Sequence, residues 1–573
     1  MNPVIKAQLK SFEEKTKRSE LSESELFEIF TIFSISNGIL TDTIDPFSAH
    51  LQGDEFGIDG ISIMIQGEIC TNSDEISSAL TGGKNHSIEF NFFQSKTSEK
   101  LDYGEMSKFF DAVAEFFNGT FISPTEQLSD LIAAKDKVYE QVLKQNPTLR
   151  LFFVSTGTGE KSKQISKLIR ERKQNLLDLN IFSNVEIEAY GAKDLQTGYR
   201  SATNSISESI DIKKPITLPE HPSVQQAFLG YVSAEELVKL ATISSGEGSE
   251  RRINKAVFFD NIRDFNENSA INKGILDEIK NGDQDSFIFK NNGVTVVSKE
   301  INRKGDTFHL EDYQIVNGCQ TSNILFMAGE NRKDINVPFR LIGSNDADFV
   351  SRIIIGTNKQ NEVKDDQFWA LTTFMKNLEE YCREQNTDLQ LFIERRENQY
   401  RNEILERTRI FRPSDLVKSI AAMFLFQPHR SARDYRGIRN DFSDRLFKES
   451  HSVVPYHTAA FAAYKTDFSI RNKRINSSWS IYKYYFLSAI GKEVTSGRDI
   501  FNMKKTEQNR ACQKILDTFS DEELLSKHFT KVAETLDSIM KENCVTSREK
   551  CRDALRAEAV SQQFDKSYHT LQT

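Results

Sequence analysis

The stretch NFFQSKTS, residues 91–98, decides how the first part of this chain is read. In an extended strand, residues two apart share a face, so Gln94 and Lys96 project on the side of Phe90 and Phe92. An apolar face that ends in a lysine raises a question of solvation. The ammonium must reach water, a carboxylate or a bound anion, because burying it alone is costly.

Outward from that stretch, HSIEFNFFQSK (86–96) alternates through Ile88, Phe90 and Phe92, and GIDGISIMIQG (57–67) sets Ile58, Ile61, Ile63 and Ile65 against smaller or polar residues. Two neighbouring strands of one sheet are predicted. Upstream, SESELFEIFTIFSISNG (22–38) carries Leu26, Ile29, Phe30 and Phe33 at helical spacing between Ser/Glu starting signals and Gly38, which predicts an amphipathic first helix. Downstream, helices are predicted at 104–118 and 126–144, a buried strand in LRLFFVSTGTG (149–159), a basic helix at 160–176 and a strand in VEIEAYG (185–191). Strands alternating with helices imply an α/β layer with partly parallel pairing.

The chain has 573 residues, more than one core accommodates, so two or three domains are expected. A first domain is placed at 1–200, with the polar, Ser-rich segment 197–215 as a linker or surface loop. A second mixed domain is placed at 216–430 and a helical C-terminal region at 431–573, with no internal repeat. The fold class is therefore multidomain α/β and α+β. With 38% hydrophobic residues and 42 Phe, packed cores are expected throughout. A net charge of −9 excludes a protein that coats nucleic acid over its whole surface, so such contacts must be local. The six cysteines form no CxxC pair and no zinc spacing, and are read as reduced, packed thiols. With no apolar signal core and no bilayer-length run, a cytoplasmic protein without membrane contact is expected.

The strand before the QSK triplet supplies a carboxylate. Asp59 stands between Gly57 and Gly60, which let backbone or a ligand approach. An acid on one strand, an amide and a lysine on the next, and Glu25 or Glu28 on the upstream helix suit a divalent cation and an attacking water. Asp59 would bind Mg2+ or Mn2+, the Gln94 oxygen would complete the shell, and Lys96 would orient the water. GDEFGIDGI followed by FFQSK resembles the PD-(D/E)xK nuclease core in its Mrr-like form, where the second motif is QxK. The resemblance covers residues 20–160 and implies a restriction-endonuclease-like mixed sheet flanked by helices. It makes Asp59 the metal-binding acid, Gln94 the second-motif ligand, Lys96 the catalytic lysine and Glu25 the helix acid. The connection between Asp59 and Gln94 is long for a simple hairpin of that family.

A second constellation lies further on. FKNNGVTVVSKEI (289–301) places Asn291 and Asn292 in a turn entering a strand, and YQIVNGCQTSNILFMAG (313–329) places Asn317, Gln320 and Thr321 between a strand and a helix. IIIGTNKQNEVKDDQFWAL (353–371) sets Asn358, Gln360 and Asn361 at a predicted strand-to-helix junction. Amides and hydroxyls without a His or Cys partner point to recognition of an anion or a base edge rather than to catalysis. The strings VFFDNIRDF (257–265), INKGI (271–275), NNGVTVV (291–297), IVNGCQT (315–321), TNKQNEV (357–363) and IERRENQY (393–400) resemble the AIPR family, the abortive-infection phage-resistance proteins. That resemblance spans 215–450 and implies a role in antiviral defence. A more distant likeness to DGQHR-type domains implies a nucleotide ligand.

Basic residues gather at 161–173, with Lys167 and Arg170, and after the second domain as Arg395, Arg396, Arg401, Arg407, Arg409 and Arg412. A third basic stretch, with aromatics, runs over 430–448. These are candidate phosphate contacts. The combined expectation is an Mg2+-dependent endonuclease of antiphage defence, with DNA favoured over RNA by resemblance and the AIPR module sensing or recruiting the target. Cutting both strands implies a homodimer, and a phage-derived or nucleotide trigger is envisaged. The alternative is a non-catalytic sensor that binds nucleic acid or protein.

Overall fold

The computed structural model describes residues 2–16, 21–42, 44–52, 57–80, 86–141, 143, 145–244, 251–258, 270–282, 284–357, 369, 372–395, 399–400, 403, 405–432, 435–472, 474–545 and 547–570. Two compact units result, one formed by Met1–Val363 with Tyr400–Ile404, the other by Lys364–Gln399 with Leu405–Thr573. The division falls before the boundary expected at 430, and both sheets of five and six strands lie in the first unit.

The first unit opens with helices α1 (Pro3–Thr16) and α2 (Glu23–Phe33). The α2 start is set by a Ser-x-x-Glu capping box: the Ser22 hydroxyl accepts from Glu25 N–H at 3.2 Å, and the Glu25 carboxylate accepts from Ser22 N–H at 3.0 Å. The helix predicted to reach Gly38 changes to a π-helical turn over Ser34–Ile39.

The first sheet contains β1 (Gly60–Ile65), β2 (Glu68–Cys70), β3 (Ile88–Lys96), β4 (Thr148–Ser155) and β5 (Asn184–Tyr190), in the order β2-β1-β3-β4-β5. β1 is antiparallel to β2 and β3, while β3, β4 and β5 run parallel. The predicted pairing of the two alternating strands is direct, with Ile61 opposite Phe92 and Gly60 opposite Phe93. β2 and a short helix, Ser73–Ala79, occupy much of the long connection between them.

Helices α3 (Tyr103–Asn118), α4 (Glu126–Tyr139) and α5 (Lys163–Leu177) cover the Phe90 and Phe92 face, where Met106, Phe109, Leu128, Ile165 and Leu168 are buried. α1, α2 and α6 (Ala192–Thr203) cover the other face, packing around Met64, Phe93, Phe152 and Val154. Strand alternation thus feeds two cores, one on each side, in a helix–sheet–helix layering.

The segment 197–215, expected as a linker, is instead the end of α6, the edge strand β6 (Ser207–Asp211) and the start of β7 (Lys213–Thr217). It is polar because these strands lie at the two edges of the second sheet, where one side faces water. That sheet adds β8 (Gln226–Ser233), β11 (Val294–Lys304), β12 (Thr307–Asn317) and β13 (Asn336–Gly343), in the order β6-β12-β11-β13-β8-β7, and a small hairpin of β9 (Thr242–Ser244) and β10 (Arg251–Ile253) stands apart from it. Helices α7 (Ala234–Ala241) and α8 (Cys319–Met327) pack on one face, and α9 (Ala347–Thr357) on the other. Residues 353–357, expected as a strand, are the last turns of α9. The Ile run reads equally as buried strand or helix, and the Ala347 start settles it.

The second unit is mainly helical. α10 (Thr373–Arg383), α11 (Pro413–Met423), α12 (Val454–Arg471), α13 (Lys483–Thr495), α14 (Lys505–Ser520) and α15 (Glu522–Glu542) surround one core that includes Leu416, Phe461, Phe486 and Phe529.

Candidate functional site

The ladder between β1 and β3 ends at Gly60 and Phe93, and the chain before it continues as Asp59, whose N–H donates to Phe93 O at 2.8 Å. The Asp59 carboxylate then takes the place of a main-chain acceptor. Its Oδ2 accepts from Ser95 N–H at 2.6 Å and from the Ser95 hydroxyl at 2.8 Å. Burial pushes the Asp59 carboxyl up to about 7, the nearby Glu28 carboxylate adds to the rise, and the Ser95 bonds and the Lys96 charge hold it back.

Gln94 and Lys96 share the opposite-facing positions of the same strand end. Gln94 is 2% exposed; its Nε2 donates weakly to Ser95 O at 3.4 Å, and its Oε1 is buried without a hydrogen-bond donor. Lys96 meets a carboxylate, as a lysine closing an apolar face should: its Nζ lies 3.0 Å from Glu105 Oε2 in the first turn of α3.

Of the two helix acids weighed from sequence, Glu25 is occupied as the α2 cap, and the Glu28 charge is the one that bears on Asp59. A correction follows for Glu25, whose Ser-x-x-Glu context is itself the signature of a cap. Glu28 Oε2 lies 2.8 Å from His50 Nε2, and the His50 side chain is 6% exposed. His50 and Ser95 are the residues that sequence reasoning missed. Ser95 sits inside the QSK triplet on the face opposite its flanks, and His50 gives no local signal. Among the described residues, no three His, Cys, Asp or Glu side chains gather into a metal-holding group.

Part of the second constellation is bonded within the protein. Asn291 Nδ2 donates to Thr321 Oγ1 at 3.0 Å, Gly293 N–H donates to Asn291 Oδ1 at 2.8 Å, and Gln320 Nε2 donates to Asn272 Oδ1. Asn292 is exposed, and Asn317 ends β12 opposite Thr295. These amides build the β12–α8 junction, where Gly318 has φ 108° and a Cβ there would meet Val294 Cγ2 at 2.5 Å. Asn358, Gln360 and Asn361 lie outside the described residues, as do Arg396 and Arg401.

Of the predicted phosphate contacts, Arg395 is corrected: its side chain is 7% exposed and ion-paired with Glu379, so it is packed inside the helical unit. Arg409 pairs with Glu406 at 2.9 Å and lies over the Tyr464 ring. On α5, Lys167 and Arg170 are exposed, and Lys167 is 3.6 Å from Glu171. Lys163 and Lys173 are exposed on the same helix.

This is a mixed α/β protein whose first unit carries two separate mixed sheets and whose second is mainly helical. The family model of the AIPR proteins matches residues 258–543, which suggests a role in phage defence. No curated protein and no solved structure matches the chain. No helix among the described residues is long and apolar enough to cross a membrane.

Proposed function

We propose that the first sheet carries a metal-dependent phosphodiesterase site that cuts nucleic acid in the cytoplasm as part of antiphage defence. The observation that carries this reading is the meeting of Asp59 with the Gln94–Lys96 strand end, across a β1–β3 register that runs unbroken to Gly60. The donor set suits Mg2+ or Mn2+. Asp59 and Glu28 offer carboxylate oxygen, the ligand type of hard divalent cations, and Gln94, whose buried Oε1 has no donor of its own, would have to bring that oxygen round the strand end from the opposite face to join them. Bound there, such a cation would lower the pKa of water and neutralise charge on the phosphate.

The chain's own groups have definite tasks in this reading. Ser95 fixes the Asp59 carboxylate through two hydrogen bonds. Lys96 brings a positive charge to the strand end, where it orients the attacking water and faces the phosphate. The exposed cations of α5, Lys163, Lys167, Arg170 and Lys173, lie on a helix packed against the same sheet face and suit the phosphate backbone. DNA is favoured over RNA on the resemblance of the first motifs. Each copy would hold one such centre, so cutting both strands of a duplex calls for a homodimer. The AIPR-matching region would sense or recruit the target, through a phage-derived or nucleotide trigger.

A second reading, a sensor that binds without cutting, draws on one observation: Lys96 is already paired with Glu105. Wild type and Lys96→Ala, incubated with plasmid DNA and with RNA in Mg2+, Mn2+ or EDTA, separate the two. Metal-dependent cleavage lost in the variant supports the nuclease and names its substrate. No cleavage in any condition, with nucleic-acid binding retained, favours the sensor.

A further inference from the structure

The residues that bring Glu28 to Asp59 form a built arrangement. Gly60, the first residue of β1, has no side chain, and a Cβ there would meet Ile32 Cδ1 at 2.6 Å and Ala49 O at 3.0 Å. Helix α2 therefore lies unusually close to the start of β1. Glu28 is one helical turn before Ile32 and shares its face, which directs it towards the residue preceding Gly60.

Two carboxylates brought together repel, and Glu28, with 22% of its side chain exposed, has water available as an alternative. What holds it is His50. Its Nε2 lies 2.8 Å from Glu28 Oε2. The His50 backbone is pinned on three sides: its N–H donates to Pro46 O at 3.0 Å, its carbonyl accepts from Gln127 Nε2 at 2.8 Å, and it forms a β-bridge with Gly60. The next residues are clipped as firmly. Leu51 N–H donates to Asp59 O at 2.9 Å, and Gln52 N–H donates to Gln127 Oε1 at 3.2 Å. The imidazole is thus a fixed donor on a segment that is itself tied to Asp59.

We propose that His50 is a positioning residue of this site, whose imidazole holds the Glu28 carboxylate beside Asp59 so that the two acids act as one cation-binding pair. This rests on the reading of Asp59 as a cation-binding acid. Residues that orient metal ligands in this way typically change metal affinity by about 10- to 100-fold when lost.

The test is calorimetric titration of the full chain with Mn2+ alone. His50→Asn, whose amide is too short to span to Glu28, is expected to weaken Mn2+ binding about tenfold, while His50→Gln, which restores a donor near the Nε2 position, stays close to wild type. In a Glu28→Gln background, His50→Asn is expected to have no further effect, whereas a residue acting only on folding would lower affinity again; this holds even where the single variant melts early. Equal Mn2+ affinity in wild type and His50→Asn overturns the role of His50 alone. No Mn2+ binding by wild type overturns the reading of the site as a cation centre, and the role of His50 with it.

Discussion

Lys96 Nζ and Glu105 Oε2 stand 3.0 Å apart, joining the end of β3 to the first turn of α3, and each side chain is 36% exposed. Hydrogen bonds from Lys96 and Lys108 hold the Glu105 carboxyl below its usual range. An ion pair this open to water contributes at most about 1 kcal/mol to stability. If the nuclease reading holds, a phosphate arriving at Lys96 has to displace Glu105. Glu105→Gln is therefore expected to leave the melting midpoint nearly unchanged and to lower KM for nucleic acid about threefold, since the competitor that costs roughly 0.6 kcal/mol is gone. Steady-state cleavage with both proteins checks this. A loss as deep as that of Lys96→Ala would make the pair, rather than the freed lysine, the active unit.

Lys163, Lys167 and Arg170 recur at helical spacing on α5 and are exposed. If this ridge tracks a phosphate backbone, replacing Lys163 and Arg170 by Glu weakens binding for every sequence alike. It also flattens the dependence of log affinity on log salt by about 0.9 for each duplex phosphate that is no longer neutralised. Fluorescence anisotropy at four salt concentrations measures both. Weaker binding with an unaltered slope would place the effect elsewhere. Stability should hold, because the buried residues of this helix, Ile165, Leu168 and Leu176, are untouched.

Gly38, in the π-helical turn after α2, faces Gly198 of α6 so closely that a Cβ at 38 would lie 1.9 Å from the Gly198 carbonyl oxygen. Main-chain atoms cannot swing aside as a side chain can. Gly38→Ala is expected to cost about 3 kcal/mol or more, at the upper end of overpacking, and to show as a marked drop in the melting midpoint. Gly274→Ala, in the helix Ala270–Lys280 with open space around the position, is the contrasting case. It should stabilise by about 0.5–1 kcal/mol through helix propensity.

His457 on α12 is fully buried, and its Nε2 lies 2.8 Å from the Leu389 carbonyl oxygen. The Tyr381 ring stands edge-on to it at 5.5 Å, and Phe461 stacks at 6.2 Å. Burial lowers the imidazole below its ordinary pKa, outweighing the Leu389 carbonyl, which favours the proton. The unfolded chain therefore takes up a proton that the folded chain refuses. Stability associated with His457 is complete above about pH 6.5 and falls as pH drops from there towards the lowered value, by about 1.4 kcal/mol per unit of depression. Urea unfolding of the helical unit at pH 7.5 and pH 5 should show this loss in wild type and a smaller one in His457→Gln. An equal loss in both would assign the pH dependence to other groups.

Much of the first sheet was legible because its signals are local. Alternation over 86–96 and 57–67 identified β3 and β1, and their neighbourhood followed from matching apolar faces. The start of α2 behind its Ser/Glu signals and the Asn-Gly turn before β11 were equally readable. The division of the chain was less so. The segment 197–215 looked like a linker because edge strands are polar, and the Ile run at 353–355 carries no period that separates strand from helix. The amide-rich junctions read as open recognition surfaces, yet Asn291 bonds to Thr321 and Gln320 to Asn272. One amide donor of Asn291 and one of Gln320 are engaged within the protein.

Sequence alone determined that Asp59, Gln94 and Lys96 belong to adjoining strand ends, because strand period and pairing depend on side chains close along the chain. Only the tertiary structure decided what stands around them. The charge of Glu28 rather than Glu25 bears on Asp59 because the cap consumes one acid while α2 approaches the start of β1 closely at Gly60, one turn beyond the other. His50 reaches Glu28, and Glu105 reaches Lys96, across loops and layers whose packing no local pattern encodes. Those pairings depend on how two cores press helices onto opposite faces of one sheet, a property of the whole unit rather than of any stretch within it.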